Sequence, residues 1–227
     1  MKRWVMLLGP LLGCTGALAE VRPVDLSLVH IRSVAPQVVV DLRYATAQNF
    51  TGKVLYPSVA DCYLRADVAR ALGEADKALR AVGLGIKVFD CYRPLRVQFL
   101  LWEIVHDERY VADPKKGSRH NRGAAVDLTL VDAAGQELAM PTAFDDFSEK
   151  AHRSYEALPQ DVKRNRSVLE QAMTKAGFVG LATEWWHFDF QGWQRYPHSD
   201  TPFEALAAVR PGPYVQVKSR AAVRPGP

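Results

Sequence analysis

The chain has 227 residues, enough for one domain with a substantial core, with or without appendages. With 48% hydrophobic and 24% charged residues it has the composition of an ordinary globular protein. A formal net charge of +4, scattered and without a basic stripe interleaved with aromatics, argues against a nucleic-acid partner.

The first twenty residues read as an export signal, with Lys2 and Arg3 ahead of an apolar run from Trp4 to Leu12 that is too short to span a bilayer. Ala17-Leu18-Ala19 fits cleavage before Glu20, so residues 1–19 are expected to be removed. Leu11-Leu12-Gly13-Cys14 resembles a lipobox, and the alternative is a lipid anchor at Cys14. Both routes leave an exported, periplasmic or envelope-attached protein with no transmembrane span after processing. Cys62 and Cys91 then remain as a pair. An oxidising compartment permits a disulfide between them, and two buried thiols are the alternative.

Gln37 to Tyr44 is predicted to be a strand by its β-branched run, and Asn49 to Pro57 a loop. Leu64, Val68, Leu72, Ala75 and Leu79 recur at helical spacing, so Leu64 to Val82 is predicted to be a helix. Ile86 to Asp90 alternates like a short strand. Pro94 suits a helix start, continued by the apolar face of Val97 to Val105. Ala124 to Leu130 is a strand, Asp161 to Ala176 a helix closed by Gly177, and Trp185 to Phe190 an aromatic-rich strand. The mixture lacks a βαβ rhythm, which favours an α+β fold with a mostly antiparallel sheet flanked by helices. The domain is expected over residues 20–203. Residues 204–227, in which Ala207 to Pro213 (AAVRPGP) recurs identically as Ala221 to Pro227, are expected to be a disordered tail by their Pro and Gly content.

Two of the six histidines sit in distinctive company. His120 lies in Ser118-Arg119-His120-Asn121-Arg122-Gly123-Ala124-Ala125-Val126-Asp127, and His187 in Glu184-Trp185-Trp186-His187. An odd offset would put His120 and Asp127 on opposite faces of one strand, so they converge only if the chain bends, and Gly123 is the natural place. Asp127 is costly inside so apolar a strand unless paired, hydrogen-bonded or metal-bound. His187 and Asp189 share a face of the later strand, with Glu184 just before it. Two His and one Asp make a three-ligand zinc site with a position left for water, and an unligated Glu184 is what such a site needs as base. The plainer alternative is a pair of structural His–Asp hydrogen bonds. His152 and His198 have polar, loop-like neighbours and read as surface residues. Arg93, at a strand-to-helix junction, either serves a cleft as an oxyanion or carboxylate clamp or simply pairs with Asp90.

The two segments resemble the SxHxxGxAxD and ExxH signatures of zinc D,D-peptidases, and the wider chain is similar to VanX-type D-alanyl-D-alanine dipeptidases. Supporting stretches are Arg43-Tyr44-Ala45-Thr46, Asn49-Phe50-Thr51-Gly52, Asp90-Cys91-Tyr92-Arg93-Pro94 and Asp127-Leu128-Thr129-Leu130. The resemblance implies a Hedgehog/D,D-peptidase-like fold and one zinc per chain on His120, Asp127 and His187. It implies Glu184 as general base and Arg93 as oxyanion stabiliser. Tyr44, Ser118 and Asp145 would meet the substrate, Asp145 through its ammonium, with Asp146 a rival for that role. The implied reaction is hydrolysis of the small dipeptide D-alanyl-D-alanine. Rival readings are a D,D-carboxypeptidase acting on peptidoglycan stems and a non-catalytic wall-binding module on the same fold. The export signal, the repeated tail and Cys91 in place of a small glycine depart from the family pattern. Oligomeric state leaves no mark in the sequence.

Overall fold

The structure, a computed structural model, describes residues 24–208. The export segment, Cys14 and most of the repeated tail lie outside the described residues. In chain order the elements are β1 (Leu28–His30), β2 (Val39–Val40), β3 (Tyr63–Arg65), α1 (Ala66–Arg80), β4 (Gly85–Asp90), α2 (Leu95–Ile104), β5 (Ala125–Val131), α3 (Gln160–Lys175), β6 (Phe178–Gly180), β7 (His187–Phe190) and α4 (Phe203–Ala208). The main sheet has the order β2-β4-β5-β7-β6, antiparallel throughout except for the parallel pair β2 and β4. β1 and β3 form a separate antiparallel pair. The α+β expectation holds.

β5 is buried along its whole length, because both faces are covered. Val126, Leu128 and Leu130 point into a core shared with Ile86 and Val88 of β4, Leu72 and Leu79 of α1, and Leu169 and Met173 of α3. Asp127 and Thr129 face the other way. A second cluster, rich in tyrosine, gathers Tyr44, Tyr56, Tyr63, Tyr92, Val97, Leu101 and Phe203. The Cys62–Cys91 disulfide ties the start of β3 to the end of β4, with Cα atoms 5.3 Å apart.

Several boundaries differ from expectation. The strand predicted over Gln37 to Tyr44 is only Val39–Val40. Beyond it the chain turns into a 3-10 turn at Arg43–Ala45 that buries Tyr44. Only one side of α2 is buried, through Val97, Gln98 and Leu101, while Phe99, Leu100 and Ile104 stay exposed. The ladder of the last long strand begins at His187 rather than Trp185. Residues 204–208 belong to α4, anchored by buried Phe203, so the tail cannot start at 204. His152 and His198 are half-buried rather than on the surface.

Candidate metal centre and active site

Three strands set the floor of the site. Asp90, Asp127 and His187 are cross-strand partners, forming one row over β4, β5 and β7. Asp90 joins that row only through a register shift between Val88 and Asp90. In a regular ladder Asp90 would share the core face with Ile86 and Val88; one extra residue moves it to the other face.

His120 arrives from the 3-10 turn His120–Arg122, which Gly123 ends with φ 65°. A Cβ there would sit 2.5 Å from the tip of the Leu28 side chain, which can move aside, so it is the positive φ of the turn that calls for glycine. This is the bend the spacing demanded. It brings His120 Nε2 to 3.2 Å from His187 Nδ1 and 3.4 Å from Asp127 Oδ1, and His187 Nδ1 lies 3.0 Å from the same oxygen. One ligand atom from each of the three buried residues lies within 4.8 Å of the others.

The outward ring nitrogens show what this cluster is built to hold. His120 Nδ1 lies 2.7 Å from the Cys91 carbonyl, which can only accept, so Nδ1 carries the proton. His187 Nε2 faces Asp189 Oδ1 at 2.9 Å in the same way. With those donors assigned, His120 Nε2 and His187 Nδ1 are left as lone pairs that face each other and a carboxylate. Three acceptors converging out of water need a cation. Without metal, a proton takes that place. Burial opposes the charge on His187, but Asp189 and Asp127 outweigh it and raise its pKa to about 10. Burial likewise opposes the Asp127 charge, yet His120 and His187 hold its carboxyl well below the usual range. Two imidazoles and one carboxylate fit zinc, which must displace that proton to bind.

Glu184 Oε2 lies 4.0 Å from His187 Nδ1, and its side chain finds no hydrogen-bond donor among the described residues. Burial, with repulsion from Asp127 and Asp145, pushes its pKa up to about 8. Arg93 is buried, donating through Nε and one terminal nitrogen to Asp90 Oδ2 at 3.0 and 2.7 Å and through the other to Gln98 Oε1 at 2.8 Å. Asp90 also accepts from the Tyr56 hydroxyl at 2.7 Å and the Cys91 N–H at 2.9 Å. The structural pairing and the cleft position of Arg93 therefore coexist. Its guanidinium carbon lies 5.1 Å from the centre of the Tyr44 ring.

Tyr44 donates to Asp145 Oδ1 and the Phe50 N–H to Oδ2, both at 3.3 Å. Asp145 adopts φ 63°, which turns its carboxylate inward, whereas Asp146 accepts from the Ser148 N–H and does not line the cavity. Burial and the Asp127 charge lift Asp145 to about 7. Burial also raises Tyr44 well above its ordinary value, so it remains a donor. Ser118 accepts from the His120 N–H at 3.2 Å at the edge of the same space. All eight expected residues, Tyr44, Arg93, Ser118, His120, Asp127, Asp145, Glu184 and His187, line one cavity of about 90 Å³. Trp186, Phe50, Tyr110 and Phe147 add aromatic walls, and Glu108, Arg109 and Arg119 bring further charge to the lining. A wider depression of about 930 Å³ beside α1 contains none of them. Sequence reasoning missed Gln98 and Tyr56, which hold Arg93 and its partner. A polar residue within the apolar run of α2 was the available sign of Gln98.

The family model for peptidase M15, described as D-ala-D-ala dipeptidase, matches residues 24–205. The chain is 39% identical over 170 residues to the D-alanyl-D-alanine dipeptidase of Escherichia coli, covering 75% of this chain and 88% of that protein. It is 33% identical over 187 residues to the enzyme of that name from Streptomyces coelicolor, with 72% and 90% covered. Among solved structures, VanYB in complex with D-alanine-D-alanine aligns at a TM-score of 0.41 and 18% identity, covering 75% of this chain and 88% of that one.

Proposed function

This chain belongs to the peptidase M15 family of D-Ala-D-Ala dipeptidases, and on that footing we propose that it hydrolyses free D-alanyl-D-alanine with one zinc ion per chain. The observation that carries the reading is the charge inside the cavity. Asp127, Asp145 and Glu184 share a space of about 90 Å³. Asp127 and Glu184 are buried and Asp145 half-buried, and acidic groups so enclosed call for cations. A divalent ion on His120, Asp127 and His187 answers one end, and the ammonium of a free peptide N-terminus answers Asp145 at the other. A long stem peptide offers no such ammonium near its C-terminal bond.

Bound there, zinc supplies polarisation of the scissile carbonyl and lowers the pKa of a water toward ~7. Glu184, free of hydrogen bonds, takes the proton of the attacking water and delivers it to the leaving amine. A guanidinium has five N–H groups. Three of those on Arg93 are engaged by Asp90 and Gln98, which leaves two for the developing oxyanion. The Tyr44 hydroxyl fixes the Asp145 carboxylate that receives the ammonium, and Ser118 borders the peptide.

A panel of L,L-, D,L- and D,D-dipeptides, assayed with and without a chelator, tests the reading. Cleavage of D-Ala-D-Ala that chelation abolishes and added zinc restores is the expected result. Faster cleavage of a pentapeptide stem would transfer the chain to the D,D-carboxypeptidases. A zinc-loaded protein inert on every short D-peptide would make it a wall-binding module.

Export to the periplasm completes the proposal. It is supported by Lys2 and Arg3 ahead of an apolar run and by the Cys62–Cys91 disulfide, a bond that persists in oxidising compartments. No helix among the described residues is long and apolar enough to cross a membrane. The mass of the mature N-terminus separates cleavage before Glu20 from lipidation of Cys14.

A further inference from the structure

The two metal-facing imidazoles are oriented by unlike partners. His120 is held by a backbone carbonyl, that of Cys91, which no substitution removes. His187 is held by a side chain, Asp189, two residues along the same strand and on the same face. Across the sheet Asp189 stands opposite Ala125, whose methyl group leaves the carboxylate room to reach back to the ring. Its second oxygen is 3.5 Å from Arg119 Nε, and the Arg119 guanidinium lies 4.8 Å from the centre of the Trp193 ring. Arg119 therefore lies against Trp193 at the rim of the cavity, which it helps to line.

We propose that Asp189 is a positioning residue for the metal site, fixing the tautomer and plane of His187 so that Nδ1 faces the ion, with Arg119 bracing Asp189 from behind. A neutral imidazole carries one N–H, and which nitrogen bears it depends on the partner of the other. Losing the acceptor at Nε2 lets the proton move to Nδ1 and the ring rotate, and either change withdraws a ligand. The negative charge of Asp189 also makes Nδ1 a stronger donor to a cation. Partners of this kind change metal affinity by about 10–100-fold. Arg119 is 41% exposed and acts at one further remove, so its contribution is smaller.

The inference rests on the zinc reading above, and the measurement separates the two. The zinc dissociation constant of the full chain is determined by chelator competition for the parent, Asp189→Ala, Asp189→Asn and Arg119→Ala. The visible spectrum of the Co(II) form is recorded beside it. The expected result is a loss of affinity of about 10–100-fold in Asp189→Ala with an altered Co(II) spectrum. Asp189→Asn, which keeps an acceptor without the charge, should fall between that variant and the parent, and Arg119→Ala should stay within a few-fold of the parent. Parent-like affinity and spectrum in Asp189→Ala would overturn the inference while leaving the zinc reading intact. If Asp189→Ala fails to fold, parent-like behaviour of Asp189→Asn on both measures overturns it instead. A parent protein that takes up no zinc overturns the functional reading, and this inference falls with it.

Discussion

Asp127 and His187 stand opposite each other on neighbouring strands, whereas Arg93, Tyr44 and Asp145 reach the same cavity from turns. The strand register is set by Val126, Leu128 and Phe188 packing beneath the sheet, so the metal-facing pair comes with the core. The turn-borne residues are held by polar contacts instead: Asp90 and Gln98 grip Arg93, and Tyr44 and the Phe50 N–H grip Asp145. Floor and wall should therefore fail differently. Changes to the wall should spoil the handling of substrate while zinc stays bound.

The sharpest probe of that division is Glu184, which sits beside the floor without belonging to it. Glu184→Gln should retain one zinc per chain and lose about 100- to 10,000-fold in kcat, the usual worth of a positioned acid–base group. Metal analysis beside single-turnover kinetics checks this. Loss of zinc would make Glu184 a fourth ligand and dissolve the distinction.

Arg93→Ala probes the wall. It should keep zinc and lose about 100- to 1000-fold in kcat/KM as an oxyanion donor disappears. It should also destabilise the fold by about 3–5 kcal/mol, because Asp90 is left charged and buried. Arg93→Lys should recover little of the rate, since a point charge cannot bridge Asp90 and Gln98 in one plane as the guanidinium does. Full activity in Arg93→Ala would reduce this residue to a structural partner of Asp90.

The same division explains what could be read from the sequence. The floor was legible: alternation placed Asp127 and His187 on defined faces, and Gly123 marked the natural place for the bend that lets His120 join them. Much of the wall was not. The regular alternation of Ile86 to Asp90 puts Asp90 on the core face, and the inserted residue that reverses it leaves no trace in the spacing. Tyr44 was expected at a strand end and sits on a 3-10 turn, because the apolar run outlasts the two residues that pair. The doubled Asp145-Asp146 stayed ambiguous because the choice depends on one backbone dihedral, φ 63° at Asp145. The main helices, by contrast, fell within a few residues of their expected limits.

The disulfide sharpens the comparison from the side of stability. It closes a separation of 29 residues between Cys62 and Cys91, adjacent to the carbonyl that orients His120. A loop of this size is worth roughly 3–4 kcal/mol. Cys62→Ser/Cys91→Ser should therefore lower the melting temperature by about 10 °C. Reduction of the parent protein should match it. A shift of only a degree or two would mean that the hydrogen bonds around Asp90 already hold this turn.

The smallest effect separates function from stability at one wall residue. Asp145 has its pKa raised from 3.8 to about 7, first by burial and then by the Asp127 charge. Between those values the folded protein holds a proton that the unfolded chain has released, so stability falls as pH rises through that window and is level above it. Asp145→Asn removes the titration. Asparagine also tolerates the positive φ, so the backbone is not strained by the change. The variant should match the parent in melting temperature below pH 4, gain progressively to pH 7, and exceed it by a few degrees at pH 8 in chelator-treated protein, less than the full shift would give because the half-buried Asp145 carboxylate is screened by water. Its KM for a dipeptide should rise at the same time, because the carboxylate that costs stability is the one that meets the substrate ammonium. A variant that gains no stability at pH 8 would show that Asp145 is already ionised at low cost, and the wall would then be as settled as the floor.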